Sequence, residues 1–298
     1  MYKIIVLFII GIFTSSCSAS KTPAPDNTTF KTIQYKSLTG VDSERVSLDI
    51  YSTVDNFSQK PVIIWVHGGG WHLGDKAEGV ENLRNLALEN GWILVGVNYR
   101  LSPRPKLLKI RMDDNRIKYP DHNNDIADAM AWVYKNISKY GGNPNKIALI
   151  GHSAGAHLVS LAGTKREFLE DRNIPFSIIK GVASIDIDVY KVDEYVAQGI
   201  PMIVNAFGSD PKANRDASPY YHVKKGLSYP HFFLTLRGQE RRKNRIMEFA
   251  NVLKAAKVNV TIVDGSEYSH IGIAKAIGEP KETTITRPLV NFFKECFK

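Results

Sequence analysis

The sequence predicts an α/β fold, a mostly parallel β-sheet covered by helices on both faces. Three observations predict it. The segments "PVIIWVHG", "WILVGVNYR" and "KIALIG" are continuous apolar runs, as expected of strands buried on both faces. Amphipathic stretches such as "AEGVENLRNLALEN" and "DIADAMAWVYKNISKYG" separate them with a helical period. The 298-residue length, 43% hydrophobic and 23% charged, suffices for one large core, and no repeat or second linker divides it.

In chain order the strands are expected near "TIQY", "RVSLDIY", "PVIIWVHG", "WILVGVNYR", "KIALIG", "IKGVASIDI", "PHFFLTLRG" and "VNVTIVDG". Helices are expected over the two amphipathic stretches above, "AGAHLVSLAGT", "KNRIMEFANVLKAAK" and the closing "TITRPLVNFFKECF". The basic, aperiodic segment from Leu101 to Asp121 interrupts this rhythm and reads as a surface excursion, with a lid flap as the alternative.

Ahead of the fold, "MYKIIVLFIIGIFTSSCSAS" has a cationic start at Lys3, an apolar run from Ile4 to Phe13 and small residues up to Cys17. That is the pattern of a signal peptide over residues 1–17, too short to span a bilayer comfortably. "TSSC" resembles a bacterial lipobox, with Cys17 as the lipidated residue, although Thr14 stands where an aliphatic residue is expected; plain secretion is the alternative. Residues 18–30, rich in Ser, Thr, Pro and Asn, read as a flexible tether before a domain at 31–298. With Cys17 lipidated or removed, Cys296 is left without a disulfide partner. The formal charge of +9 is spread thinly and forms no basic stripe, which argues against nucleic-acid binding.

The motif that carries chemistry is "GHSAGAH", Gly151 to His157. An apolar strand ends at Gly151 and an apolar helix begins just after Ser153, so G-x-S-x-G falls on a strand-to-helix turn that leaves the serine exposed as a nucleophile. A serine attacking a carbonyl needs donors for the oxyanion it creates. Ala154 offers one backbone N–H, and the glycine-rich loop "HGGGW" offers Gly69 and Gly70. Loss of one such donor costs about 3–4 kcal/mol of transition-state stabilisation. "DHNND", Asp121 to Asp125, fits the polar start of a helix better than a metal loop, and neither it nor the Asp113–Asp114 pair has metal-ligand spacing. Trp71 reads equally as a core residue or a pocket wall, and Tyr99 and Arg100 as structural.

"HGGGW", "VGVNYRLSP", "YPDHNNDIADAMAWV" and "GHSAGAHL" together resemble the α/β-hydrolase superfamily, in particular bacterial esterases similar to feruloyl-esterase-like and kynurenine-formamidase-like enzymes. The resemblance covers nearly all of the chain after residue 31. It implies an eight-stranded, mainly parallel sheet, hydrolysis of a small-molecule ester or activated amide, and no cofactor. It also implies a chain order of serine, acid, histidine.

Of eight histidines, His270 meets that order, in a loop after the last strand. His67 and His152 lie inside the two motifs, where the resemblance implies structural duties for them, and His157 sits one helical turn after Ser153. The acid is where the pattern breaks. The resemblance places an aspartate shortly after the seventh strand, where "RGQERR" puts Arg241. Glu240 beside it is the first choice, with Asp186 or Asp188 after "GVASIDI" as alternatives. The expected activity is a serine carboxylesterase working through an acyl-enzyme, with two rivals: an arylformamidase-type amidase, and a degenerate hydrolase fold that binds without turnover.

Overall fold

The computed structural model describes residues 27–54, 59–104 and 113–298. The expected signal peptide, Cys17, most of the tether and the middle of the Leu101–Asp121 segment lie outside these residues. The elements run β1 (Thr28–Gln34), β2 (Ser47–Thr53), β3 (Lys60–Val66), α1 (Glu81–Glu89), β4 (Ile93–Val97), α2 (Asp121–Asn136), β5 (Gly142–His152) and α3 (Ala154–Ala162). There follow α4 (Glu167–Glu170), β6 (Ile179–Ile185), α5 (Val192–Ala197), α6 (Pro201–Phe207), α7 (Pro211–Asp216) and α8 (Pro219–His222). The chain closes with β7 (His231–Leu236), α9 (Glu240–Ala255), β8 (Val260–Asp264), α10 (His270–Ala276) and α11 (Thr286–Cys296).

The described strands form one eight-stranded sheet in the order β1-β2-β4-β3-β5-β6-β7-β8. β2 pairs antiparallel with both β1 and β4, and every other pairing is parallel. The apolar runs take its centre for the reason the sequence suggests. Along β3, Val62, Ile64 and Val66 belong to the core under one face and Ile63 and Trp65 to the core under the other, all of them buried. A strand with both faces covered has no polar side to show. α3 is buried along its whole length, which is why its sequence carries apolar or small residues on every face.

Two differences from the sequence-based expectation matter for the site. β1 begins at Thr28 and takes the last three residues of the expected tether, because its backbone pairs in register with β2 from Thr28↔Thr53 onward. More importantly, four helices of four to seven residues occupy the segment between β6 and β7, where no element is predicted. Helices this short carry no sustained 3.6-residue period, and three of them open with proline at the first turn. They form a cap: Phe207 of α6 packs its ring edge-on against Trp71 and His157, with centroids 5.0 and 5.1 Å away.

The core also encloses neutral histidines. Burial pushes His67 and His157 down to about 4 and His122 down to about 3. His122 bonds Ser102 Oγ at 3.0 Å, and His157 donates from Nε2 to the Ala217 carbonyl at 2.9 Å. Between roughly pH 6.5 and 4 the unfolded chain binds protons at these rings that the folded chain does not, so stability rises with pH across that window. We therefore expect the melting temperature to hold above pH 6.5 and to fall steadily toward pH 4. Calorimetry checks this, and His122→Gln should flatten the slope.

Candidate active site

Ser153 lies between the end of β5 and the first residue of α3, with φ 55° and ψ −121°. A left-handed φ at a residue with a side chain is strained, and the surroundings enforce it. A Cβ on Gly155 would come within 2.1 Å of the Val66 carbonyl oxygen, and one on Gly151 within 2.3 Å of the Gly155 carbonyl oxygen. Both glycines of G-x-S-x-G are thus required by close backbone passage, and the turn between them turns the serine outward. The Ser153 N–H donates to the Ile185 carbonyl at 2.9 Å, tying the elbow to β6.

His270 is the first residue of α10, whose N-cap Ser269 accepts from the Gly272 N–H at 2.9 Å. Its Nε2 lies 3.0 Å from Ser153 Oγ and its Nδ1 2.6 Å from Asp186 Oδ2. With Nδ1–H directed at a carboxylate, Nε2 is free to accept the serine proton. A third contact holds the main chain: His152 Nε2 lies 2.8 Å from the His270 carbonyl oxygen and donates to it. Burial, and then the neighbouring His270, push His152 down to about 4, so this donor is a neutral ring.

Asp186 follows β6 directly, is fully buried and also has a left-handed φ, 56°. Its N–H donates to Thr235 Oγ1 at 2.8 Å. Burial alone would raise its carboxyl, but hydrogen bonds from His270, Arg242 and Arg237 outweigh burial and hold it well below the usual carboxylate range. It is ionised wherever His270 can act as a base.

The structure therefore corrects the first choice for the acid. Glu240 opens α9, its side chain is 82% exposed, and its nearest cation is Lys243 at 3.8 Å. A carboxylate in a helix's first turn is favoured there by the backbone dipole, and this one faces solvent. Asp188, the other alternative, is engaged elsewhere: Tyr195 donates to its Oδ2, and Arg242 Nε donates to its Oδ1 at 3.0 Å. Of the three carboxylates weighed, Asp186 is the one brought to the imidazole. Arg241, at the position where the resemblance places an acid, is exposed. Sequence reasoning missed Arg237 and Arg242, although the basic excess of "RGQERR" signals a nearby carboxylate to be matched.

The loop after β3 passes beside the serine. A Cβ on Gly68 would sit 3.2 Å from Ser153 Cβ, and Gly69 and Gly70 both have positive φ. At Gly69 a side chain would strike the Leu73 carbonyl oxygen at 2.2 Å; at Gly70 it would strike Met202 Sδ of the cap at 2.4 Å. The Gly69 carbonyl is occupied, accepting from His72 and Leu73. Among the described residues, no carbonyl or side chain takes up the N–H groups of Gly69, Gly70 or Ala154. Three unspent donors around the nucleophile suit a developing anion. Trp71 is core, 1% exposed. Tyr99 and Arg100 are structural: Tyr99 stacks on His67 at 4.5 Å, and Arg100 pairs with buried Asp125.

His152, Asp186 and His270 are the one group of metal-ligating type that comes together among the described residues. Two guanidiniums already occupy the Asp186 carboxylate, and His270 Nε2 faces Ser153 Oγ, so these ligand atoms already have partners within the protein. A groove of about 560 Å³ is lined by residues including Arg116, Tyr119 and Phe207, and Ser153 and His270 do not line it.

The chain is 41% identical over 118 residues to the probable carboxylic ester hydrolase LipM of Mycobacterium tuberculosis, a match covering 40% of this chain and 23% of LipM. It spans about a quarter of the length of the curated relatives it matches. In three dimensions it resembles esterase B of Lactobacillus rhamnosis, with a TM-score of 0.70 and 20% identity, over 92% of this chain and 89% of that one. A truncated carbohydrate esterase from gut microbiota also matches at a TM-score of 0.70 and 20% identity, over 92% of this chain and 98% of the other. These likenesses establish the α/β-hydrolase fold. The BD-FAE family profile matches residues 48–235, well over half the chain and the part that carries "HGGGW", "GHSAG" and Asp186, so the chain belongs to the BD-FAE family.

Proposed function

We propose that this protein is a serine carboxylesterase acting on esters of small or aryl substrates. The observation that carries this reading is the unbroken relay from Ser153 Oγ to His270 Nε2 at 3.0 Å and from Nδ1 to Asp186 Oδ2 at 2.6 Å. In the proposed reaction Ser153 Oγ attacks the ester carbonyl while its proton moves to Nε2. The carbonyl oxygen, now an anion, is received by the N–H groups of Gly69, Gly70 and Ala154. Collapse of the tetrahedral adduct breaks the bond to the alcohol, which leaves with the proton held by His270. Water then repeats the sequence on the acyl-serine, releasing the acid and restoring the hydroxyl. Asp186 stabilises the imidazolium that forms twice per cycle.

Membership of the BD-FAE family and the ester hydrolases among the matched relatives support the reading. A fold that binds without turnover has no use for a complete relay with unspent donors around it. The amidase alternative uses the same machinery, so relative turnover of an aryl ester and of N-formylkynurenine separates the two.

We further propose that the protein is exported and tethered through Cys17 to the bacterial envelope, residues 1–17 being the signal and 18–30 largely tether. The cationic start, the short apolar run and "TSSC" support this. No described helix is long and apolar enough to cross a membrane. The parent protein should incorporate labelled palmitate and Cys17→Ser should not; an unlabelled parent, or an equally labelled variant, would reject the anchor.

Turnover of p-nitrophenyl acetate tests the activity. Ser153→Ala should abolish it, and equal rates in parent and variant would sink the esterase reading. Asp186→Asn should lower kcat by about four orders of magnitude, as loss of the orienting acid does in serine proteases. Glu240→Ala should leave kcat within about twofold, as expected for an exposed residue away from the site.

A further inference from the structure

The carboxylate behind His270 is not held by the imidazole alone. Arg237, just past the end of β7, donates from Nε to Asp186 Oδ2, the oxygen that also receives His270 Nδ1. Arg242, in the first turn of α9, donates from Nη1 to Asp186 Oδ1 and from Nη2 to the Asp186 main-chain oxygen at 2.8 Å. Its Nε reaches Asp188 Oδ1 at 3.0 Å, and its Nη1 also lies 3.2 Å from the Arg237 carbonyl oxygen. One planar guanidinium thus fixes the side chain and backbone of the residue on which the base depends. Gly238 makes room for it: φ is +89°, and a Cβ there would lie 3.1 Å from Arg242 Cδ.

We propose that Arg237 and Arg242 are positioning residues of the relay: they fix the rotation of the Asp186 carboxylate so that Oδ2 faces His270, and they partly neutralise the charge that His270 feels. The proposal rests on the serine-hydrolase reading. Two physical arguments support it. A carboxylate at a strained, left-handed residue needs restraint on both oxygens to present one of them steadily, and the guanidinium fork supplies this where a lysine's single charge would not. Second, the charged and titratable groups facing His270 are Asp186 with Asp188 behind it at the end of β6, Arg237 from β7, Arg242 from α9 and His152 from the elbow. His152 is neutral, so the two guanidiniums are set against two carboxylates, of which Asp186 is the one in contact with the ring. An opposite or like charge at this range moves a titration by about 1 unit or more, less where solvent screens it.

Removing one guanidinium should loosen the acid and leave more of its charge to the ring, which then holds its proton to higher pH. The test measures kcat and kcat/KM against pH for the parent, Arg242→Met, Arg237→Met and Arg242→Lys, alongside the His270 ring titration by NMR. For Arg242→Met we expect kcat to fall about tenfold or more with KM within about threefold, since a displaced orienting group costs rate before affinity. The acid limb and the ring midpoint should both move up by about 0.5–1 pH unit. Arg242→Lys should return the limb toward the parent position while recovering only part of kcat.

Rates within twofold of the parent would overturn the proposal. So would a fall in kcat with the limb unmoved, which marks mere support of the fold. If Arg242→Met does not fold, Arg237→Met and Arg242→Lys carry the same readouts. A folded parent with no turnover would fail the hydrolase reading separately; the ring titration still decides this proposal, and an unmoved midpoint rejects it.

Discussion

The site depends on the hydrogen-bonded ladder between β5 and β6. Gly151 stands opposite Ser184 and His152 opposite Ile185, so Ser153 and Asp186 are the next residues on two adjacent parallel strands. The Ser153 N–H bonds the Ile185 carbonyl across the gap, and both residues turn into left-handed backbone as they leave the sheet. The proposed nucleophile and acid are therefore spaced by sheet geometry and not by loops. His270 alone comes from outside the ladder, and it is held at both ends, by Asp186 at the ring and by His152 at the carbonyl. Strain at two positions is tolerable because buried β-structure over-determines them.

That ladder also gives a physical account of why the end of β7 carries arginines. With the acid at the end of β6, a second carboxylate after β7 would repel it. Positive side chains there complement it, and the glycine between them lets one guanidinium pass close to the backbone. The whole group, Asp186 and Asp188 with Arg237, Arg242 and Arg245, forms a buried to half-buried ionic network against the relay. A group of this kind is tolerable away from water because its charges are hydrogen-bonded pair by pair.

Much of this was legible in the sequence. The buried strands announce themselves by lacking alternation, and G-x-S-x-G is readable because two glycines flank a serine at a strand end. His270 is readable because it follows the last strand. The acid was not readable by the same means. Asp186, Asp188 and Glu240 are all carboxylates near strand ends, and what distinguishes Asp186 is its φ of 56° and its contact with His270 Nδ1, neither of which leaves a periodic mark. The cap was invisible for a related reason: its helices are too short to show a period, and they are held by contacts such as Phe207 on Trp71 that join residues distant in sequence.

Asp186 is also the point where the chain leaves the sheet and enters the cap. The cap in turn rests on the oxyanion loop, through Met202 beside Gly70. Roof and relay therefore share a root. If Asp186 orients the base as proposed, exchanging or lengthening the cap means grafting at that same residue.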